Sequence, residues 1–196
     1  GTVLPDPIVV AANDSLRIYT GTFAPPTLTN NGFLALEGNA VLNTALTSNL
    51  GSAIVVRGTN TTSAASVTIT NGFTNAGIFR LVAEGAGYSV AASLGAGTLT
   101  NAATGTLEFL SGAGGTRAIA AGLVDNFGAF NAAYSGAVNG PLDQRGSLTV
   151  AATQTLTVTG LTRLLDGSTT TVLGTFTKSG GCSATVGASF SGTTCP

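Results

Sequence analysis

The chain has no histidine, no methionine and no tryptophan, and only 8% of its 196 residues are charged. Without histidine there is no base for a Ser–His–Asp or Cys–His nucleophile. Two cysteines and no histidine also fall short of a structural zinc site. Ordinary globular domains carry about 25% charged residues. Disorder does not account for the deficit, because 43% of the residues are hydrophobic and net charge is low. No apolar run approaches the roughly 20 residues of a bilayer-spanning helix, so no membrane span is expected. The seven basic residues lie at least fifteen positions apart. That spacing leaves no basic run to neutralise phosphates or dock on anionic lipid, which excludes nucleic acid as a partner.

Threonine, serine, asparagine and glycine fill the polar positions. The segments 66–70, 146–150 and 155–159 alternate apolar and hydroxyl residues with a period of two, the pattern of a pleated strand with one buried face. Helical windows are poor. The Ala-rich segment 116–124 allows at most a short helix, because Gly122 interrupts it.

An imperfect repeat runs through the middle of the chain. Leu28-Thr29-Asn30-Asn31-Gly32, Leu46-Thr47-Ser48-Asn49-Leu50-Gly51 and Phe73-Thr74-Asn75-Ala76-Gly77 each precede a short apolar strand. Leu99-Thr100-Asn101, followed by Gly105, and Val124-Asp125-Asn126-Phe127-Gly128 do the same. The expected corners are therefore Asn31 with Gly32, Asn49 with Gly51, Asn75 with Gly77, Asn101 with Gly105, and Asn126 with Gly128. Asn and Gly tolerate the left-handed backbone that sharp corners require. Repeats of this length point to stacked coils. The fold expected is all-β, a small parallel β-helix, and the alternative is an antiparallel β-sandwich with ordinary strand–turn–strand repeats.

This corner followed by a short strand resembles the repeats of bacterial right-handed parallel β-helix surface proteins, such as autotransporter passengers and filamentous-haemagglutinin-type exoproteins. The resemblance covers residues 27–160. It implies a secreted scaffold or adhesin and brings no catalytic residue with it.

The ends differ from the middle. Residues 1–26 hold Pro5, Pro7, Pro25 and Pro26 around an apolar strand and read as an N-terminal arm or cap. Val3, Leu4, Ile8, Val9 and Val10 are candidates for an arm that adds to a neighbouring subunit. Residues 161–196 read as a C-terminal cap, with a hairpin at Asp166-Gly167, suited to a type I′ turn, and a Cys182–Cys195 bridge. A bridge implies an oxidising compartment. The opening Gly1-Thr2-Val3-Leu4-Pro5 is expected of a mature form whose targeting peptide is gone.

Glu37, Glu84, Glu108 and Asp125 are the carboxylates that a glycosidase-type pair would draw on, although solvated charge is their ordinary role. No metal or cofactor is expected, and no enzyme. The function expected is that of a secreted or cell-surface structural protein, a self-associating surface or filament subunit. A monomeric adhesin for a glycan or host surface is one alternative, with Tyr19, Tyr88 and Tyr134 as its only tyrosines for stacking sugars. The second is an ice-binding protein built on Thr-x-Thr pairs at 27/29, 68/70, 98/100 and 155/157/159, although unequal spacing argues against their alignment.

Overall fold

A computed structural model of the chain describes residues 2, 3 and 5–195, with residues 2 and 3 described by their backbone alone. Short strands wind into a parallel β-helix with three faces. The first face is a nine-stranded sheet from Ile8–Val10 to Cys182–Ala184. The second and third belong to one larger sheet, joined where Phe33–Leu42 bends around the corner between them. Its first half pairs with Ala53–Gly58 on the second face, and its second half with Ala65–Ile69 on the third. Every strand ladder among the described residues is parallel, which rules out the sandwich. A lone antiparallel bridge joins Thr59 and Ser63.

Period-two alternation is what closes the coil, because each strand sends every second side chain inward. On the second face Leu34, Ile54, Phe79, Leu107, Phe130 and Leu148 form one buried column in consecutive register. Edge-to-face pairs tighten it, Phe73 with Phe79 at 5.4 Å and Phe109 with Phe130 at 5.2 Å.

Coil length varies. On the first face Leu28 pairs with Leu46, Thr47 with Thr74, Leu99 with Val124 and Leu142 with Thr162. The three longest coils carry their largest insertions in loops 59–64, 84–89 and 110–116, all at the corner between the second and third faces, while the corner between the first and second faces varies only between two residues, as at 76–77, and four, as at 102–105. The strands themselves keep their register.

Three expectations are corrected here. Residues 117–120 are a strand, not helix, because Arg117 and Ile119 must alternate inward beside Val90 and Ala92. The coils also run past residues 27 and 160 at both ends. Finally, Asp166-Gly167 makes no hairpin, since Thr162–Leu164 and Thr169–Val172 lie on different faces. Ser168 N donates to Leu165 O (3.0 Å) across this turn. Gly167 has φ +77° and Asp166 is not among the positive-φ residues. Only the second central residue is therefore left-handed, as in a type II turn rather than I′.

The Cys182–Cys195 bridge is present, with Cα atoms 5.4 Å apart. It ties residues 192–195 back to the last rung of the first face. Lys178 continues an inward column of Val138 and Val158 at this end and donates to Thr193 Oγ1.

Candidate functional site

The corner between the first and second faces is built from buried amides. Asn30, Ser48, Asn75, Asn101, Asn126 and Gln144 are all fully buried or nearly so. Each sits two residues after an inward apolar side chain, so alternation turns it into the core. Ser48 Oγ donates to Asn75 Oδ1 (3.1 Å), Asn75 Nδ2 to Asn101 Oδ1 (2.8 Å), Asn101 Nδ2 to Asn126 Oδ1 (2.7 Å), and Asn126 Nδ2 to Gln144 Oε1 (2.9 Å). Leu164 is the next residue in register and has no acceptor, so the ladder stops at Gln144. The same amides bind carbonyls that leave the corner: Asn101 Nδ2 also reaches Gly105 O (3.1 Å) and Ala129 O (3.1 Å).

Of the corner asparagines expected from the repeat, Asn75, Asn101 and Asn126 belong to this ladder. Asn31 and Asn49 do not. They lie one residue outside it, half-buried, and Asn49 Nδ2 donates to Asn31 Oδ1 (2.7 Å). The buried members in those coils are Asn30 and Ser48. Phase relative to Leu28 and Leu46 is the sequence signal that identifies them.

The corner glycines also have a different reason from the one expected. Only Gly51 is left-handed, with φ +83°. Gly32, Gly77, Gly105 and Gly128 are required by close approach, because a Cβ on each would lie 2.1–2.3 Å from a carbonyl oxygen of the preceding coil.

The expected assembly arm is part of the stack. Ile8–Val10 forms the first rung of the first face, paired with Thr27–Asn30. Val10 is buried, Ile8 half-buried and Val9 exposed. Val3 pairs through its backbone with Ala24, and Leu4 lies outside the described residues.

The carboxylates on the faces are matched by arginines. Fully buried Glu37 accepts from Arg17 Nη2 (2.7 Å) and Arg57 Nε (2.7 Å), and Arg57 Nη1 also reaches Glu84 (3.2 Å). Glu108 accepts from Arg80 Nε (2.7 Å), and Asp125 from Arg145 Nε (2.9 Å). Asp143 takes both Nε and Nη2 of Arg163. Burial of Glu37 disfavours its charge, but the hydrogen bonds and charges of Arg17 and Arg57 outweigh it and hold the carboxyl below its ordinary value. The acid of a glycosidase pair needs the opposite shift.

The threonines divide between two faces. Thr29, Thr47, Thr74 and Thr100 stand in one outward rank on the first face, in consecutive register. Their unequal sequence spacing does not break the alignment, because the corner loops absorb the difference. The neighbouring rank holds Thr27 and Thr98 but also Ala45. Beyond Thr100 the rank continues as Asp125, Asp143 and Arg163. Thr68, Thr155 and Thr157 lie on the third face instead, where Ser66, Ala91, Ala118, Ala137, Thr157 and Thr177 form an uncharged column.

Among the tyrosines, Tyr19 is exposed, with Arg17 5.8 Å from its ring. Tyr88 and Tyr134 are half-buried at the corner between the second and third faces. Compared with known proteins, the chain matches no family model, no curated protein and no solved structure.

Proposed function

We propose that the chain is an extracellular structural protein, a stiff scaffold that associates with further copies as a surface or filament subunit. The observation that carries this reading is the state of the outer faces. Each carboxylate on them is committed to an arginine, and most remaining outward positions are small hydroxyls and methyls. Such faces suit packing and hydration better than chemistry. The disulfide fits an oxidising setting, and no helix is long and apolar enough to cross a membrane. The resemblance to bacterial β-helix surface proteins agrees with this reading.

Association is expected through the first rung. Among the described residues Ile8–Val10 pairs on one side only, and an unpaired edge of exposed N–H and C=O groups templates strand addition. Negative-stain electron microscopy and sedimentation of the purified chain test this. Ordered polymers are expected, and deletion of residues 1–11 is expected to abolish them. A strictly monomeric chain at high concentration removes the proposal.

The Thr29–Thr47–Thr74–Thr100 rank favours a second reading, ice binding, since rungs roughly 4.8 Å apart present hydroxyls and methyls at a regular spacing. The test is inhibition of ice recrystallisation, with Thr74→Lys expected to abolish it. Wild-type protein without activity rules this reading out.

A further inference from the structure

Arg117 stands apart from the other six cations. Five arginines pair with carboxylates and Lys178 reaches Thr193. Arg117 is fully buried, in an inward column that otherwise holds Ala65, Val90, Gly136, Leu156 and Phe176. Its Nε donates to Leu110 O (3.3 Å) and its Nη1 to Gly114 O (2.8 Å) and Thr116 O (3.4 Å). These bonds hold the 110–116 loop. Nη2 is buried and has no hydrogen-bond partner among the described residues. The Tyr134 ring lies 4.6 Å from the guanidinium carbon. Among the described residues no carboxylate offsets this charge, and burial pushes the guanidinium below its ordinary value. An uncompensated buried cation is costly.

The corner changes abruptly at this point. The loop at 110–116 is the last of the three long ones, and in the next coil residues 133–135 suffice. Beside the step is a hollow of about 470 Å³ on the third face, lined by Arg117, Ala118, Tyr134, Ala137, Thr155 and Thr157 among others. Ala118 and Ala137, neighbours in register on the outer side of this face, are among its lining residues. Thr155 and Thr157 also line it, and their hydroxyls make no hydrogen bond to described residues; Tyr134 is a further lining residue. Methyls, an aromatic ring and free hydroxyls match the two faces of a pyranose, and a guanidinium N–H matches a carboxylate.

We propose that this hollow binds a saccharide through its carboxylate, which pairs with Arg117 Nη2 while the sugar ring rests on Ala118 and Ala137. Tyr134 covers the guanidinium, so entry requires its side chain to turn outward. The chain lacks tryptophan and has three tyrosines, so the share of tyrosine emission that Tyr134→Phe removes reports that movement.

The test is a calorimetric and fluorescence titration of the intact chain with a glucuronate trisaccharide, a neutral trisaccharide and sodium acetate. The acidic sugar is expected to bind and to change tyrosine emission. The neutral sugar and acetate are each expected to bind about tenfold or more weakly, as loss of a charge-assisted hydrogen bond or of the ring contacts implies. Arg117→Gln is expected to remove the preference for the acid. Because that substitution also frees the 110–116 loop, Ala137→Leu provides an independent check, filling the hollow from outside and leaving Arg117 in place. It is expected to abolish binding with an unchanged melting curve. The proposal is overturned if the acidic sugar fails to bind, if acetate or the neutral sugar binds equally well, or if Ala137→Leu binds like wild type. It is independent of self-association: a polymer that ignores the uronate overturns it alone, and a monomer that binds the uronate retains it.

Discussion

Replacing Asn101 by alanine tests the physical basis of the corner most directly. The side chain is fully buried, accepts from Asn75, and places the two Nδ2 protons within reach of three acceptors, Gly105 O, Asn126 Oδ1 and Ala129 O, so that one proton is shared. The losses are unequal. Asn75 Nδ2 keeps Gly77 O (3.0 Å) and Thr106 O (3.3 Å), and Gly105 O keeps the amide of Ala129 (3.0 Å). Asn126 Oδ1 keeps no donor that the structure shows. One bare buried acceptor costs about 1–3 kcal/mol. With the remaining weakened bonds and a small void, the total is about 4 kcal/mol. Thr100→Ala, one residue away on the outer face, is the control and is expected to stay within about 0.5 kcal/mol of wild type. Urea unfolding followed by circular dichroism measures both, and a shifted midpoint at unchanged slope is expected. The pair Asn75→Ala and Asn101→Ala shares the 2.8 Å bond, so the double variant is expected to cost about 1 kcal/mol less than the sum. The reasoning fails if Asn101→Ala costs under about 1 kcal/mol, or if the two substitutions simply add.

Three further outcomes follow from the geometry. Gly128→Ala places a Cβ 2.1 Å from Gly105 O and 2.4 Å from Ala102 O. Its cost is expected to reach about 3 kcal/mol or prevent folding, against about 1–2 kcal/mol for left-handed but uncrowded Gly51→Ala, as read from melting curves. The folded-state pKa of Glu37 lies below its ordinary 4.5. The unfolded chain therefore binds more protons between the two values, and the stability this group provides above pH 4.5 is lost as pH falls through the folded pKa. Glu37→Gln is expected to be less stable than wild type at neutral pH, with the gap closing on acidification in paired urea titrations. Reduction of Cys182–Cys195, which closes a loop of 13 residues, is expected to cost about 3 kcal/mol in the chain-entropy model. Hydrogen exchange is expected to rise first at Cys182–Ala184, and unchanged exchange there would show that the bridge does not secure the last rung.

The parallel coil was legible because alternation and corner chemistry are local. Leu28, Leu46, Phe73, Leu99 and Val124 each mark an inward position, and hydroxyls mark the outside. The exact buried amide was harder to read where two candidates adjoin, as in Asn30-Asn31, and only its phase with Leu28 separates them. Spatial partners were not legible at all. Glu37 and its two arginines lie 20 positions apart on either side, a distance set by coil length rather than by any motif. The threonine rank is hidden in the sequence for a related reason: its members are unequally spaced along the chain, whereas backbone pairing holds their register. Asp166-Gly167 suggests a hairpin it does not form, because a turn dipeptide reports the bend but not whether the strands it joins pair with each other.

The placing of the longest insertions at one corner has a consequence for the other two. Whatever is inserted at 59–64, 84–89 or 110–116 leaves the amide ladder and the threonine rank untouched, since neither passes through that corner. The scaffold thus separates the corner that carries the amide ladder, which varies by only two residues, from the corner that takes the long insertions. A foreign peptide spliced into the 84–89 loop would be displayed on a rigid post without disturbing the post itself.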